Sequence, residues 1–229
     1  EDRAPRVVNR LVEDIKTRNG HIWTGILGME AIADALCENG RSDVAYSAHL
    51  KDDYPSLGNM IREGATTLWE DLTIKKARSL NHKMFATPLG WMARYVAGLH
   101  VDGVAVDSSG FRKAVIEPYP APEQIQFAKL DYQSPMGRYE SHWRVQDNEI
   151  VYDIVIPPNA SATARLPVSG KTAVSLTESG KFLWENGKPK DSVDGCGTVS
   201  LENGRLIIPL GSGTYSFSVK TNDSQGKSK

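Results

Sequence analysis

The chain has 229 residues, of which 24% are charged and 40% are hydrophobic, and its net charge is −1 at pH 7. Because binding a nucleic-acid backbone takes clustered lysine and arginine, this near-neutral chain without a basic stripe is not expected to bind nucleic acid. No apolar run approaches the roughly 18 residues of a membrane-spanning helix, so no membrane partner is expected either.

The sequence contains no signal for a cofactor or a metal. No Cys/His spacing resembles a zinc site, no Asp/Asn cluster resembles a calcium loop, and no P-loop or GxGxxG motif is present. The two cysteines, Cys37 and Cys196, lie in regions of different character, and nothing in the sequence supports a bridge between them. The N-terminus EDRAPRVVNRL is charged and helix-like, unlike a signal peptide, and the compartment remains open.

Residues 1–102 show the apolar spacing of helices. The first predicted helix has Pro5 in its first turn and ends at Asn19-Gly20. Its apolar face consists of Val8, Leu11, Val12 and Ile15. Ser42 is predicted to cap the third helix. The other predicted helices cover about 27–38, 42–51, 57–62 and 88–99.

Residues 103–221 show the alternation of short strands. In GRYESHWRV, one face carries Tyr139, Ser141, Trp143 and Val145. Turn residues separate this strand from further short alternating runs, which predicts an antiparallel β-sandwich. The other predicted strands lie in KAVIEPYP, EIVYDIVIP, SATARLP, TAVSLTESG, RLIIPLG and GTYSFSV. Residues 222–229 are polar and are expected to form a flexible tail.

Four motifs carry a family resemblance. In chain order they are HIWTGILG, YPSLGNMIREGATTLWE, SLNHKMFATPLGWM and GFRKAVIEPYP. Together they resemble the C-terminal part of the bacterial α-L-rhamnosidases of glycoside hydrolase family 78, over about residues 4–166. The resemblance implies an (α/α)6 barrel of six helical hairpins followed by a β-sandwich. Six hairpins need about twelve helices, so the expected fold is a partial (α/α)6 helical barrel followed by an antiparallel β-sandwich.

The resemblance also implies a reaction, the inverting hydrolysis of terminal α-L-rhamnosides. Inversion needs an acid and a base about 6.5–9.5 Å apart, with room for water beside the base. The family's general base corresponds to Glu70 in TTLWE, whereas the acidic motif of its general acid is not found in this chain. Trp69 would partly desolvate Glu70, and Thr66 and Thr67 could supply hydrogen bonds to it. Outside such a motif, a Trp-Glu pair would more often be a solvated helix end.

The sugar-binding residues are predicted from the same resemblance. His82 in SLNHKMF corresponds to a family histidine that hydrogen-bonds the sugar, and the alternative is a buried or capping histidine. A 6-deoxy sugar needs aromatic walls, for which Trp69, Trp23, Tyr54 and Trp91 are the candidates. The helical spacing of Trp91 favours core packing over a wall, and core or edge packing is the expectation for Trp143 and Trp184.

Three functions remain open from the sequence. The first is an inverting α-L-rhamnosidase whose chain here carries the base and lacks the acid, acting on a rhamnose-containing carbohydrate or glycoside. The second is a non-catalytic carbohydrate-binding or structural module derived from such an enzyme. The third is a related (α/α)6 glycosidase that acts on another sugar. In each case the unfinished barrel is expected to pair with its missing upstream half or to self-associate, since large apolar patches drive association.

Overall fold

A computed structural model describes residues 3–103, 107–168, 173–190 and 192–221. The chain divides into two compact units, Glu1–Met92 and Ala93–Lys229. The long helices lie in the first unit and the sheets lie in the second. The boundary expected from the sequence, between residues 102 and 103, stays a prediction, and the predicted flexible tail, 222–229, lies outside the described residues.

The helical unit follows the predicted helical periodicity. Its described part contains α1 (Ala4–Thr17), α2 (Ile26–Glu38), α3 (Ser42–His49), α4 (Leu57–Arg62) and α5 (Thr87–Trp91). Helix α1 has proline in its first turn and buries Val8, Val12 and Ile15, as its apolar spacing predicts. Within the described ranges, no helix is both long enough and apolar enough to cross a bilayer.

Two predictions about the helices were wrong. Ser42 is the first helical residue of α3 and not its cap, because the cap position is occupied by Arg41, whose guanidinium pairs with Asp43 at 3.1 Å. The fifth helix does not continue to residue 99. It ends at Trp91, a wider π-helical turn covers Met92–Val96, and the chain then enters a strand.

Gly98 explains why the chain leaves the helix there. Its φ of +85° belongs to the left-handed region, and a Cβ at this position would lie 2.2 Å from the backbone nitrogen of Pro118. The close approach allows the Glu117 N–H to donate to the Gly98 carbonyl at 2.7 Å. A glycine is therefore required where the backbone turns into the first strand.

Two sheets form the second unit. The first has the order β1 (Leu99–Val101), β2 (Lys113–Ile116), β6 (Ser161–Pro167), β11 (Arg205–Leu210) and β10 (Ser200–Glu202). The second has the order β3 (Phe127–Ser134), β4 (Gly137–Gln146), β5 (Glu149–Ile156), β12 (Gly213–Thr221), β7 (Ala173–Glu178), β8 (Lys181–Glu185) and β9 (Lys188–Pro189). Among the pairings of these named strands, only β2 with β6 is parallel, and the others are antiparallel.

The inward faces of the two sheets share one core. Tyr139 and Trp143 of β4 are buried against residues of both sheets, as the alternation predicts. The Trp143 indole N–H also donates to the Val96 carbonyl at 2.7 Å. Strand β3 was not predicted, because most of its residues are exposed or half-buried and its apolar alternation is weak.

Candidate active site

A pocket of about 350 Å³ opens in the helical unit. Three predicted site residues, Trp23, Tyr54 and Glu70, line it together although they come from three separate segments of the chain. The lining is completed by Ile22, Thr24, Gly25, Pro55, Asp71, Leu72, Lys76 and Phe85. The pocket therefore places one predicted carboxylate beside two predicted aromatic walls.

Glu70 lies in a non-helical segment held by main-chain hydrogen bonds. Its N–H donates to the Ser79 carbonyl at 2.9 Å, and the His82 N–H donates to the Leu68 carbonyl at 2.6 Å. The Thr67 hydroxyl donates to the Leu80 carbonyl rather than to Glu70. Helix α4 has already ended at Arg62, so Glu70 is not a helix-end glutamate.

Glu70 is half-buried and lines the pocket. Within the described part of the chain, no side chain donates a hydrogen bond to its carboxylate. An ionised carboxylate with unoccupied lone pairs can accept a proton from a water molecule. The local geometry is therefore compatible with a general base.

Trp69 is placed differently from the prediction. It is 5% exposed and belongs to the core of the helical unit, whereas its neighbour Glu70 lines the pocket. The Trp69 N–H donates to the Met60 sulfur at 3.3 Å, which fixes the residue against α4. Trp69 therefore supports the segment that carries Glu70 and does not form a pocket wall.

The aromatic wall consists of Trp23 and Tyr54. Their rings meet edge to face, with centroids 6.1 Å apart and planes at 89°. The Lys76 ammonium donates to the Tyr54 hydroxyl at 2.9 Å, and this hydrogen bond raises the pKa of Lys76. Lys76 was not predicted from the sequence, where it resembles any other surface lysine.

Glu63 organises the segment that brings Asp71 and Lys76 to the pocket. Its carboxylate accepts the Ile74 N–H at 2.6 Å and the Thr73 hydroxyl at 2.9 Å. The Ile74 N–H is the main cause of a lowered Glu63 pKa. The glutamate after α4, Glu63, thus holds a loop, whereas the glutamate seven positions later, Glu70, lines the pocket.

His82 lies beside the Glu70 segment but is not among the residues that line the pocket. Its side chain is half-buried, and Nδ1 is fully buried with no hydrogen-bond partner in the described residues. Within the described residues, His82 therefore carries the energetic cost of a buried ring nitrogen without a hydrogen-bond partner.

The remaining tryptophans lie in the cores, as predicted. Trp91 is 5% exposed, stacks on His49 with centroids 4.5 Å apart, and donates from Nε1 to the Cys37 sulfur at 3.2 Å. Burial raises the pKa of Cys37 to about 11, so this free thiol is unreactive at neutral pH. Trp143 and Trp184 are buried in the sandwich.

One group in the described residues has the proximity of metal ligands. Atoms of Asp131, Glu140 and His142, on β3 and β4, lie within 4.8 Å of one another. The Arg138 guanidinium lies 3.1 Å from Asp131 and 2.9 Å from Glu140, so the positive charge of this side chain already pairs with both carboxylates. The group is therefore an ion-pair network of the sheet surface.

Comparison with known proteins identifies the family. Residues 1–96 match the bacterial alpha-L-rhamnosidase 6 hairpin glycosidase domain, and residues 103–181 match the bacterial alpha-L-rhamnosidase C-terminal domain. The chain belongs to the bacterial α-L-rhamnosidase family. The predicted family and fold class, a partial six-hairpin domain followed by a β-sandwich, are thus confirmed.

Individual rhamnosidases agree with this assignment. An alpha-L-rhamnosidase of Formosa agariphila is 26% identical in an alignment 230 positions long, which covers 96% of this chain and 23% of that protein. The solved alpha-L-rhamnosidase of Dictyoglumus thermophilum superposes with a TM-score of 0.80 at 30% identity, over 93% of this chain and 23% of the other. The solved Streptomyces avermitilis alpha-L-rhamnosidase complexed with L-rhamnose superposes with a TM-score of 0.75 at 27% identity. This match covers 93% of this chain and 19% of the other. The chain spans about a fifth of the length of the curated rhamnosidases it matches.

Proposed function

We propose that this chain supplies the general-base side of an inverting α-L-rhamnosidase site, with Glu70 as the base. The observation that carries the proposal is that Glu70 lines the pocket whose aromatic wall is formed by Trp23 and Tyr54. Membership of the rhamnosidase family and the L-rhamnose complex of a relative support rhamnose as the sugar.

The proposed chemistry needs one proton acceptor and one proton donor. The Glu70 carboxylate takes a proton from a water molecule while the water oxygen bonds to the anomeric carbon and the glycosidic bond breaks. A general acid on the opposite side of the sugar, about 6.5–9.5 Å away, protonates the leaving oxygen. In this proposal the acid belongs to barrel sequence outside this chain.

The pocket has the properties that a 6-deoxy sugar requires. Its volume of about 350 Å³ lies at the lower end of the range for small-molecule sites. The rings of Trp23 and Tyr54 offer apolar surfaces to the C–H face and the methyl group, and Asp71 and Lys76 offer polar groups to the hydroxyls. We further propose that His82 hydrogen-bonds the sugar in the completed barrel, which requires its half-buried ring to turn so that a ring nitrogen reaches the pocket.

The completed barrel is part of the proposal. Six hairpins contain about twelve helices, whereas the described helical unit contains α1 to α5. Large apolar side chains lie exposed on this unit, including Ile61, Leu89 and Val7 at 71%, 65% and 63%. We propose that the upstream half of the barrel, or in its place a second copy of the chain, covers them.

The deciding experiment removes the basicity of Glu70 and keeps its shape. In the protein completed with its upstream barrel, Glu70→Gln should reduce kcat for an aryl α-L-rhamnoside by about 10²–10⁴. Glu13→Gln is the matched control, since this glutamate on α1 is 66% exposed and pairs only with Arg10 among the described residues. NMR of the first-formed anomer tests inversion. Equal activity of Glu70→Gln and wild type would refute the base role, and binding of L-rhamnose without any turnover would favour the non-catalytic module.

A further inference from the structure

A buried histidine joins the two loops that carry the aromatic wall. His21 is 4% exposed, and its Nδ1 lies 3.1 Å from the Pro55 carbonyl oxygen. Its Nε2 lies 3.1 Å from a carboxylate oxygen of Asp53. His21 precedes Trp23 by two residues, and its two partners stand directly before and after Tyr54.

The two partners of His21 are both hydrogen-bond acceptors. The Pro55 carbonyl oxygen accepts from an N–H at Nδ1, and the ionised Asp53 carboxylate accepts from an N–H at Nε2. Because a neutral imidazole has a single N–H, both hydrogen bonds form together only in the imidazolium form of His21. Desolvation is the largest single influence on Asp53 and works to raise its pKa. The hydrogen bond from His21, a backbone hydrogen bond and the positive charges of His21 and Lys51 together outweigh it and hold the pKa below its usual value.

We propose that His21, acting through Asp53 and Pro55, is a positioning residue that sets the Trp23–Tyr54 wall. Trp23 is 55% exposed and Tyr54 is 38% exposed, so packing around these rings constrains them little. The imidazole between their loops is buried and holds a partner on each side of Tyr54. The geometry of the wall therefore depends on a side chain that does not itself line the pocket.

The effect on turnover rests on the proposed function, whereas the effect on the wall does not. A substrate-free measurement therefore comes first. The chain contains five tryptophans, and selective ¹⁵N labelling gives one indole N–H signal for each. Trp23→Phe assigns the Trp23 signal by its loss, and the signals of Trp69 and Trp91 report whether the helical unit is folded.

Two neighbouring aspartates form a matched pair for the test. Asp53→Ala removes the acceptor of His21, whereas Asp52→Ala removes a carboxylate that pairs with Arg62 at 3.1 Å. Both side chains are more than half exposed, at 53% and 73%, so neither variant should unfold the chain. We expect Asp53→Ala to shift or broaden the Trp23 signal and Asp52→Ala to leave it in place. Asp53→Asn keeps an acceptor oxygen and should restore the signal.

His21→Ala should displace the Trp23 signal further than Asp53→Ala does. If His21→Ala unfolds the helical unit, the comparison of Asp53→Ala with Asp52→Ala decides whether the proposal holds. A Trp23 signal that is unchanged in Asp53→Ala would overturn the proposal. In the completed enzyme, Asp53→Ala should raise KM for an aryl α-L-rhamnoside about two- to tenfold with little change in kcat. Loss of kcat in Glu70→Gln tests the base separately. An inactive completed protein would refute the proposed function. The role of His21 would still be tested by the Trp23 indole signal, which needs no substrate.

Discussion

The indole ring of Trp23 meets the phenol ring of Tyr54 edge to face, at 6.1 Å between centroids, on the wall of the pocket that Glu70 also lines. This arrangement is favoured for aromatic pairs because the positive edge of one ring contacts the negative face of the other. The three residues lie in connecting segments between helices and not within helices. The candidate site is thus built from loops that helices hold in place.

The wall itself can be tested by changing Trp23. In the completed enzyme, Trp23→Ala should raise KM for an aryl α-L-rhamnoside about two- to tenfold, since an aromatic contact contributes roughly 0.5–1.5 kcal/mol beyond the area it buries. Trp23→Phe keeps an aromatic ring and should raise KM by a smaller factor. Steady-state kinetics measure both. A KM unchanged in Trp23→Ala would show that the sugar does not contact this ring.

The loop that carries Asp71 and Lys76 should depend on Glu63. Glu63→Ala removes the acceptor of the Ile74 N–H, so hydrogen exchange at the Ile74 amide should accelerate. Because the folded-state pKa of Glu63 is lowered, its stabilisation is present above the ordinary glutamate pKa of 4.5 and is lost as the pH falls through the folded value. Glu13→Ala, on the exposed face of α1, is the control. Equal exchange rates in the two variants would contradict this role of Glu63.

Acid should destabilise the helical unit through His49. Burial against Trp91 lowers the pKa of His49 below its ordinary value of 6.5, so the folded state prefers the neutral imidazole. Its contribution to stability is therefore complete above pH 6.5 and is lost as the pH falls through the lowered folded pKa. In thermal unfolding between about pH 8 and about pH 5, His49→Gln should lose less stability than wild type. An identical loss in both proteins would exclude His49 as the group responsible.

The sandwich core should depend strongly on Trp143. Trp143→Ala leaves a cavity and removes the donor to the Val96 carbonyl, so we expect a loss of about 3–5 kcal/mol in the free energy of unfolding. Chemical denaturation measures the loss. Phe182→Ala, on a ring that is 48% exposed, is the control and should change stability by about 0.5 kcal/mol or less. Comparable losses would mean that Trp143 is not a central core residue.

The isolated chain should associate in solution. Ile61 and Leu89 are 71% and 65% exposed, and exposed apolar surface of this kind favours contact with a partner. Light scattering over a range of concentrations should show dimers or larger species, and Ile61→Lys with Leu89→Lys should reduce them. A stable monomer at high concentration would contradict the proposal that a partner covers these residues.

Local periodicity predicted much of the architecture. The spacing of Val8, Val12 and Ile15 predicted the buried face of α1, and the alternation in GRYESHWRV predicted that Tyr139 and Trp143 point inward. These patterns succeed because a helix and a strand each place side chains with a fixed period. The fifth helix was predicted too long because the close contact between Gly98 and Pro118 joins residues that are distant in sequence.

The ordered motifs of the sequence by themselves determined the family, and within the site they singled out Glu70, Trp23 and Tyr54. Only the tertiary structure decided that Trp69 is buried in the core while Glu70 lines the pocket, that Lys76 reaches Tyr54, and that His21 links the two wall loops. His21 stands in the HIWTG motif, which gave the one sequence signal that could have drawn attention to it. The physical reason is that residue spacing encodes local conformation, whereas the direction of a loop side chain is set by hydrogen bonds and packing to segments far along the chain.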